Sequence, residues 1–332
     1  MVMTQDYPSK DIILSICIPT YNREQYLRQS LDCLFLQAES YKQYLEILIS
    51  DNCSTDRTRE MVLAKIEDTD LPVRYYQNEK NIGGNNNFAK LVGYSSGQYI
   101  YMMGDDDIVS PNFLQIVFNI LLDGNDYSLI HWNRMCGNED CRNSTIVDLD
   151  FDSSIWNGTA SEFMKKVLHK ANFLSSIIFN RECWYLGEQY AIDKYFGYQW
   201  FARLYFGALS HNKRCLYYYF PLVIQRNPSK SWFQYWPHYK IGSLSNLFED
   251  LDGSVPGLYA FWRSYLKSSI DDALPVVARY KSYYRKKEIR CILERHLTNT
   301  EKWRLYYYLY FPMASTLRKL HIRMKTLFLK VL

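Results

Sequence analysis

Several familiar signatures are missing from this chain of 332 residues. No apolar run approaches the roughly 18 residues that a membrane-spanning helix needs; the longest, Leu305–Ala314, stops far short. The opening MVMTQDYPSKD lacks the apolar core of a secretory signal, so export is not expected. No GxxxxGKS/T loop occurs, and no GxGxxG follows the first apolar strand, which weakens P-loop and dinucleotide-binding readings. Glycine and proline number only 14 and 10 and follow no period, which excludes a fibrous chain. Repeats and low-complexity tracts are absent. Disorder is excluded by composition, with 48% hydrophobic and 22% charged residues. A chain of this length buries a substantial core in one large domain or two ordinary ones.

Paired metal-site cysteines are also lacking. Of the eight cysteines, Cys17 and Cys33 fall within apolar patterns, and only Cys136 and Cys141 lie close together, with no second Cys/His pair nearby. Reduced, structural thiols in a cytoplasmic protein are expected, and a zinc site is not.

What is present is an uneven charge and an excess of rings. The net charge of +4 conceals a split: residues 279–332 hold 14 Lys/Arg against 3 Asp/Glu, a net of +11, and residues 1–278 a net of −7. A basic tail on an acidic body suits a polyanionic partner such as a membrane surface, a nucleic acid or an acidic protein. Tyrosine alone occurs 30 times, which suits aromatic-lined pockets or contact with lipid headgroups.

Over the first 130 residues two hydrophobic periods alternate. Ile12–Ile18, Leu45–Ile49, Val73–Gln77, Gln98–Met102 and Tyr127–Trp132 read as strands. Glu24–Leu36, Asp56–Ile66 and Asn85–Tyr94 read as helices, and Ser110-Pro111 as the capped start of another. The alternation predicts an α/β fold, a mostly parallel sheet with helices on both faces and right-handed crossovers. Beyond residue 133 the rhythm is lost. Residues 133–160 read as a polar surface excursion, Ser161–Lys170 as a helix capped by Ser161, Lys194–Leu209 as an aromatic helix, Arg214–Phe220 as a strand and Asn227–Pro237 as an aromatic loop. From Pro237 onward the chain reads as helical. Near its end Leu317, Leu320, Met324, Leu327, Phe328 and Val331 fall on one stripe about 100° wide, with Arg318, Lys319, Arg323, Lys325 and Lys330 around the rest. Such a helix either lies in a membrane interface or docks its apolar stripe on the protein. Expected divisions are 1–132, 133–236 and 237–332.

In an open parallel sheet, ligands bind beyond the carboxyl ends of the strands. The residues there are Pro19-Thr20-Tyr21-Asn22-Arg23, then Ser50-Asp51-Asn52-Cys53-Ser54-Thr55-Asp56, then Asn78-Glu79-Lys80-Asn81-Ile82-Gly83-Gly84, and finally Gly104-Asp105-Asp106-Asp107. The three adjacent carboxylates stand out because like charges repel. Two readings fit them: a solvated acidic turn ahead of a helix, or a site for a hard divalent cation bridging phosphate oxygens.

Together these stretches carry a resemblance. SICIPTYNR (15–23), ISDNCSTDRT (49–58), NEKNIGGNNN (78–87) and YIYMMGDDD (99–107) resemble, in order and spacing, a family 2 glycosyltransferase with the GT-A fold. The GDDD form is similar to the branch containing abequosyltransferase-like enzymes of bacterial O-antigen and capsule assembly. The resemblance implies an inverting enzyme with a nucleotide-diphosphate sugar donor and a glycan acceptor, expected to be lipid-linked. It implies that Pro19, Thr20, Tyr21 and Asn22 line the nucleotide pocket, that Asp51 binds the base, and that Asn81, Gly83 and Asn87 flank nucleotide and sugar. Asp105 and Asp106 would contact ribose and the metal's water shell, and Asp107, with Asp105, would hold Mg²⁺ or Mn²⁺. Its general base falls nearest Asp193, with Glu188 and Glu182 as alternatives; the family's Glu-Asp pair is absent here, and Asp193 equally suits a helix cap. Arg226 and the Lys230–Trp236 loop are candidates to cover phosphates or stack on sugar, whereas His211 and His238 have no ligand spacing. The expected location is cytoplasmic, on the inner face of the membrane, with no nucleic acid. Two other readings stand beside this one: a nucleotidyltransferase, which normally wants a basic Gly-rich first loop, and a nucleic-acid-binding protein using the basic tail, which leaves Asp105–Asp107 unexplained.

Overall fold

The computed structural model describes residues 2–3, 12–138, 140–142, 144–147, 155–168, 173–190, 193–195, 199–226 and 237–310, with backbone alone at 2–3, 193, 268–269 and 281. The strands are β1 (Val2–Met3), β2 (Leu14–Thr20), β3 (Leu45–Asp51), β4 (Val73–Gln77), β5 (Tyr99–Met102), β6 (Ile108–Val109), β7 (Tyr127–Cys136), β8 (Thr145–Ile146), β9 (Ile155–Thr159), β10 (Ile177–Asn180) and β11 (Arg214–Gln225). They form one sheet in the order β1-β4-β3-β2-β5-β10-β7-β11-β6, with β8 beside β7 and β9 beside β11. The β4-β3-β2-β5 block is parallel. β10 lies antiparallel between β5 and β7, and β11 returns parallel to β7.

The helices of this part are α1 (Glu24–Ala38), α2 (Thr58–Glu67), α3 (Gly84–Tyr94), α4 (Phe113–Leu121), α5 (Ala160–Val167), α6 (Arg181–Leu186) and α7 (Gln199–His211). Leu14, Ile16, Ile18, Leu45, Ile47 and Ile49 alternate along β2 and β3 and pack in one core with α1, α2 and α4. The residues between them face α3, which buries Phe88, Leu91 and Val92. β3 is buried along its whole length, as a central parallel strand should be. Glu46 is tolerated there because Arg74, the Ser15 hydroxyl (2.5 Å) and the Ser96 amide (2.6 Å) all donate to it.

Local expectations were displaced where a tertiary partner competed. Ser110 does not cap α4: Ile108 and Val109 pair with β11, the Ser110 amide donates to the Leu222 carbonyl, and the helix starts only at Phe113 after Asn112. α5 is capped by Thr159, not Ser161, because Thr159 and Glu162 close a reciprocal capping box. The expected Lys194–Leu209 helix is a 3₁₀ turn at Asp193–Tyr195 and a separate α7. The polar stretch after residue 133 contains the end of β7 with β8 and β9. The Asn227–Trp236 loop and the amphipathic stretch 317–331 lie outside the described residues.

The chain divides into two compact units, Met1–Ala191 with Gln199–Pro228, and Ile192–Tyr198 with Ser229–Leu332. The second unit contains a π-helical turn (His238–Ser243), α8 (Leu244–Asp252), α9 (Leu258–Arg279), α10 (Lys281–Tyr284), α11 (Lys287–Arg295) and α12 (Asn299–Tyr310). Trp262 anchors its core, stacked 4.5 Å from Phe248 and donating to the Ser245 hydroxyl at 2.8 Å. No described helix is long and apolar enough to cross a membrane. All eight cysteines are free.

Candidate active site

β2, β3 and β5 run the same way, so their carboxyl ends share one edge, and the loops leaving that edge surround a cleft of about 580 Å³. Of the residues expected there, Pro19, Thr20, Tyr21, Asn87 and Asp105–Asp107 line it. Phe173, Leu174, Trp200 and Phe201, from the irregular second half of the sequence, complete the wall. Trp200 stacks on Phe88 at 5.0 Å, and Asn85 of α3 donates to Gln199 of α7 at 3.1 Å, tying the two sides together.

The carboxylate loop is held from below. Thr20 Oγ1 donates to Asp105 Oδ2 (2.7 Å), and Ser30 Oγ donates to the Asp107 carbonyl (2.7 Å). Arg226 gives its backbone N–H to Asp107 Oδ1 (3.2 Å), its Nε to the Asp106 carbonyl (2.8 Å) and its Nη2 to Gln29 (2.7 Å). Ser175 is the hinge of the arrangement. Its hydroxyl accepts from the Gly104 amide (2.8 Å) and donates to Asp107 Oδ2 (2.5 Å). Gly104 leaves room for this arrangement, since a Cβ there would stand 2.6 Å from Asp107 Oδ2 and one of them would have to shift.

These contacts leave the loop short of positive charge. Burial, then the charge of Asp106, push the Asp105 carboxyl up to about 7, against the opposing effects of the Thr20 hydrogen bond and Arg23. The same two causes push Asp107 up to about 8, although Ser175 and the Arg226 amide pull it down. Burial raises Asp106 too, offset by Arg23 and Arg226. Carboxyls pushed toward their protonated form, first by burial and then by one another's charge, fit a hard divalent cation. No group of three or more His, Cys, Asp or Glu among the described residues is arranged to hold a metal by itself. A cation seated on one or two carboxylates completes its shell with water and phosphate oxygens.

The other expected residues do not line the cleft. Asp51 is fully buried; it accepts from the Ser54 amide (2.7 Å) and the Tyr75 hydroxyl (2.6 Å), bracing its loop rather than lining the cleft. Asn22 accepts from the Thr55 amide (2.7 Å) and so clips the first loop to the second. Asn81 joins a buried amide network: Asn52 donates to Asn81 (2.9 Å), Asn78 to Asn52 (3.1 Å) and to Asn87 (2.8 Å), and Ser50 to Asn87 (2.6 Å). Gly83, at φ +83, turns the chain into α3. Arg226 is buried beneath the aspartates and does not line the cleft.

Among the general-base candidates, Glu182 is corrected by its position. It borders a groove with Ile12, Ile13 and Gln98, at the amino ends of the parallel strands and therefore on the edge opposite the cleft. Glu188 is 73% exposed and paired with Arg203 (3.5 Å). Asp193 opens a 3₁₀ turn in the second unit, and its side chain lies outside the described residues, as do Trp232 and Trp236. His211 bonds Ser128 and His238 bonds Tyr283, ordinary structural roles. The sequence reading missed Ser175, Ser30, Gln29 and Trp200. Only Trp200 carried any signal, as one ring in an aromatic stretch.

The model for "Glycosyl transferase family 2" matches residues 15–177. An abequosyltransferase of Salmonella typhimurium is 30% identical over 233 residues, covering 66% of this chain and 68% of that protein. This chain belongs to glycosyltransferase family 2. A diphosphoundecaprenol-directed β-1,3-glucosyltransferase of Escherichia coli is 31% identical over 38% of this chain and 50% of its own length. Among solved structures, S. aureus TarS 1–349 in complex with UDP superposes with a TM-score of 0.56 at 14% identity, covering 92% of this chain and 89% of that one. A mannosyltransferase of Pyrobaculum calidifontis, solved with GDP-Man and Mn²⁺, gives 0.51 at 14%, covering 94% and 90%. The fold of this family 2 glycosyltransferase is GT-A.

Proposed function

We propose that this glycosyltransferase moves a sugar, with inversion at the anomeric carbon, from a nucleotide-diphosphate sugar to a hydroxyl of a lipid-linked glycan acceptor in bacterial surface-polysaccharide (O-antigen or capsule) synthesis. The observation that carries this reading is the Asp105–Asp107 wall, short of positive charge, which lines one cleft beside Thr20 and Tyr21. Tyr21 packs against the base of the donor, Asp105 and Asp106 orient its ribose, and Asn87 with the amide network behind it shapes the sugar pocket. Asp107 and Asp105 would hold Mg²⁺ or Mn²⁺, which when bound neutralises charge on the leaving diphosphate. The Phe88–Trp200 wall offers a ring face to a sugar. A carboxylate on the side away from the diphosphate takes the proton of the attacking hydroxyl. Asp193 is the candidate, with Glu188 as the alternative, and loss of kcat with retained donor binding in Asp193→Asn is the test.

The relatives with lipid-linked substrates in their names support the acceptor class, and the +11 charge of residues 279–332 suits an anionic membrane surface. Deleting residues 314–332 should lower membrane association more than transfer to a soluble acceptor; unchanged sedimentation with liposomes would mean that this segment only packs. The deciding experiment is mass spectrometry of products from a panel of nucleotide sugars with cell-derived lipid-linked acceptors. Absence of transfer from every donor, or binding of RNA that survives Asp107→Ala, would reject the reading.

A further inference from the structure

Helix α12 has two faces that contradict ordinary globular economy. Glu301, Leu305, Tyr308 and Leu309 are buried within the second unit. Trp303, Tyr307 and Tyr310 recur at i, i+4 and i+7 on the opposite side, within a stripe about 60° wide. Trp303 is 76% exposed and Tyr310 47%, although tryptophan is among the residues that gain most from burial. Cations edge the stripe. Arg290 Nη1 donates to the Tyr310 hydroxyl (2.9 Å), while Arg285 donates to the Leu309 carbonyl (2.7 Å) and lies 5.2 Å from the Tyr310 ring. These bonds seat two guanidinium groups beside the last described residues of α12, where the helix dipole favours positive charge. Residues 279–310 hold nine Lys/Arg against three Asp/Glu.

Trp and Tyr rings settle at the level of lipid headgroups, where one edge meets acyl chain and the other water, and neighbouring cations meet phosphate. With no described helix able to cross a bilayer, such a face would lie on the surface. We propose that the Trp303–Tyr307–Tyr310 face of α12 docks on an anionic phospholipid surface. The inference goes beyond the transfer reaction, needs neither donor nor acceptor, and concerns α12 rather than residues 314–332.

The full-length protein is mixed with vesicles of phosphatidylcholine, with and without phosphatidylglycerol, and bound protein is read by flotation. Binding is expected only with phosphatidylglycerol. The Trp303→Ser/Tyr307→Ser variant should bind about tenfold more weakly while its circular dichroism and donor hydrolysis are unchanged. Quenching of tryptophan fluorescence by brominated lipid should fall in Trp303→Phe, a variant that keeps a ring and so guards against misfolding. The proposal is overturned by wild-type binding of the double variant, by equal binding to neutral vesicles, or by no binding at all. It is also overturned if the variant binds vesicles normally but loses self-association, since the face would then be covered by a second copy. A failure of sugar transfer would leave these readouts unaffected.

Discussion

Replacing Ser175 by alanine isolates the contact that couples the second half of the chain to the carboxylate loop. The hydroxyl sits between the Gly104 amide and Asp107 Oδ2, at 2.8 and 2.5 Å, and is fully buried. Its removal strips the Gly104 N–H of an acceptor, at about 1–3 kcal/mol for a buried unpaired group. It also removes a donor from Asp107. Because Asp107 is pushed up to about 8 and is largely protonated near neutral pH without metal, that second loss is nearer to a neutral hydrogen bond, about 1 kcal/mol. The sum is about 2–4 kcal/mol, read as a lower urea midpoint at pH 7. The neighbouring Ser176 is an internal control: its Oγ is equally buried but has no hydrogen-bond partner among the described residues, so Ser176→Ala should be near neutral. Apparent Mn²⁺ affinity, read by thermal stabilisation, should fall about tenfold in Ser175→Ala, as for partners that orient a ligand. Equal costs for the two alanine variants, or unchanged Mn²⁺ affinity, would refute the reasoning.

Three further outcomes are expected. Asp107→Ala should abolish turnover, as should chelation of divalent cations, while urea unfolding stays cooperative; turnover that persists with metal chelated would remove the cation from the mechanism. Gly104→Ala places a Cβ 2.6 Å from Asp107 Oδ2, and should cost about 1–3 kcal/mol by crowding and lower turnover with it; a midpoint within error of wild type would show that the loop yields freely. Metal-free stability should fall between pH 6.5 and 8.5. Asp105 and Asp107, raised to about 7 and about 8, hold protons when folded that the unfolded chain has already lost, so rising pH favours unfolding. Below pH 6.5 the sign is opposed by buried His131, His238 and His296, lowered to about 3, about 4 and about 4, whose unfolded forms gain protons. Melting at pH 7 and 8.5 in wild type and Asp107→Asn checks this, since the variant should show a flatter slope.

The parallel block was legible because each central strand is buried on both faces and so reads as a continuous apolar run, as in β3, while each following helix shows its own period. The four turns followed from that alternation, and the carboxylate triplet stood out because like charges are seldom adjacent without a purpose. Their convergence on one edge also followed, because parallel strands point their carboxyl ends the same way. What no local pattern encoded was the identity of the bracing partners. That Asp51 braces its loop depends on Tyr75, which the fold places on the adjacent strand. β10 was invisible, as a four-residue strand without period is stabilised by its neighbours β5 and β7 rather than by its own sequence. Sequence alone therefore determined the α/β class, the cleft edge and its acidic wall, since these depend on periodicity and on residues adjacent in the chain. Only the tertiary structure decided that Ser175 holds Asp107, that Trp200 and Phe201 close the cleft and that Glu182 lies on the far edge. Those facts rest on contacts between residues dozens of positions apart, set by how the irregular second half packs against the sheet.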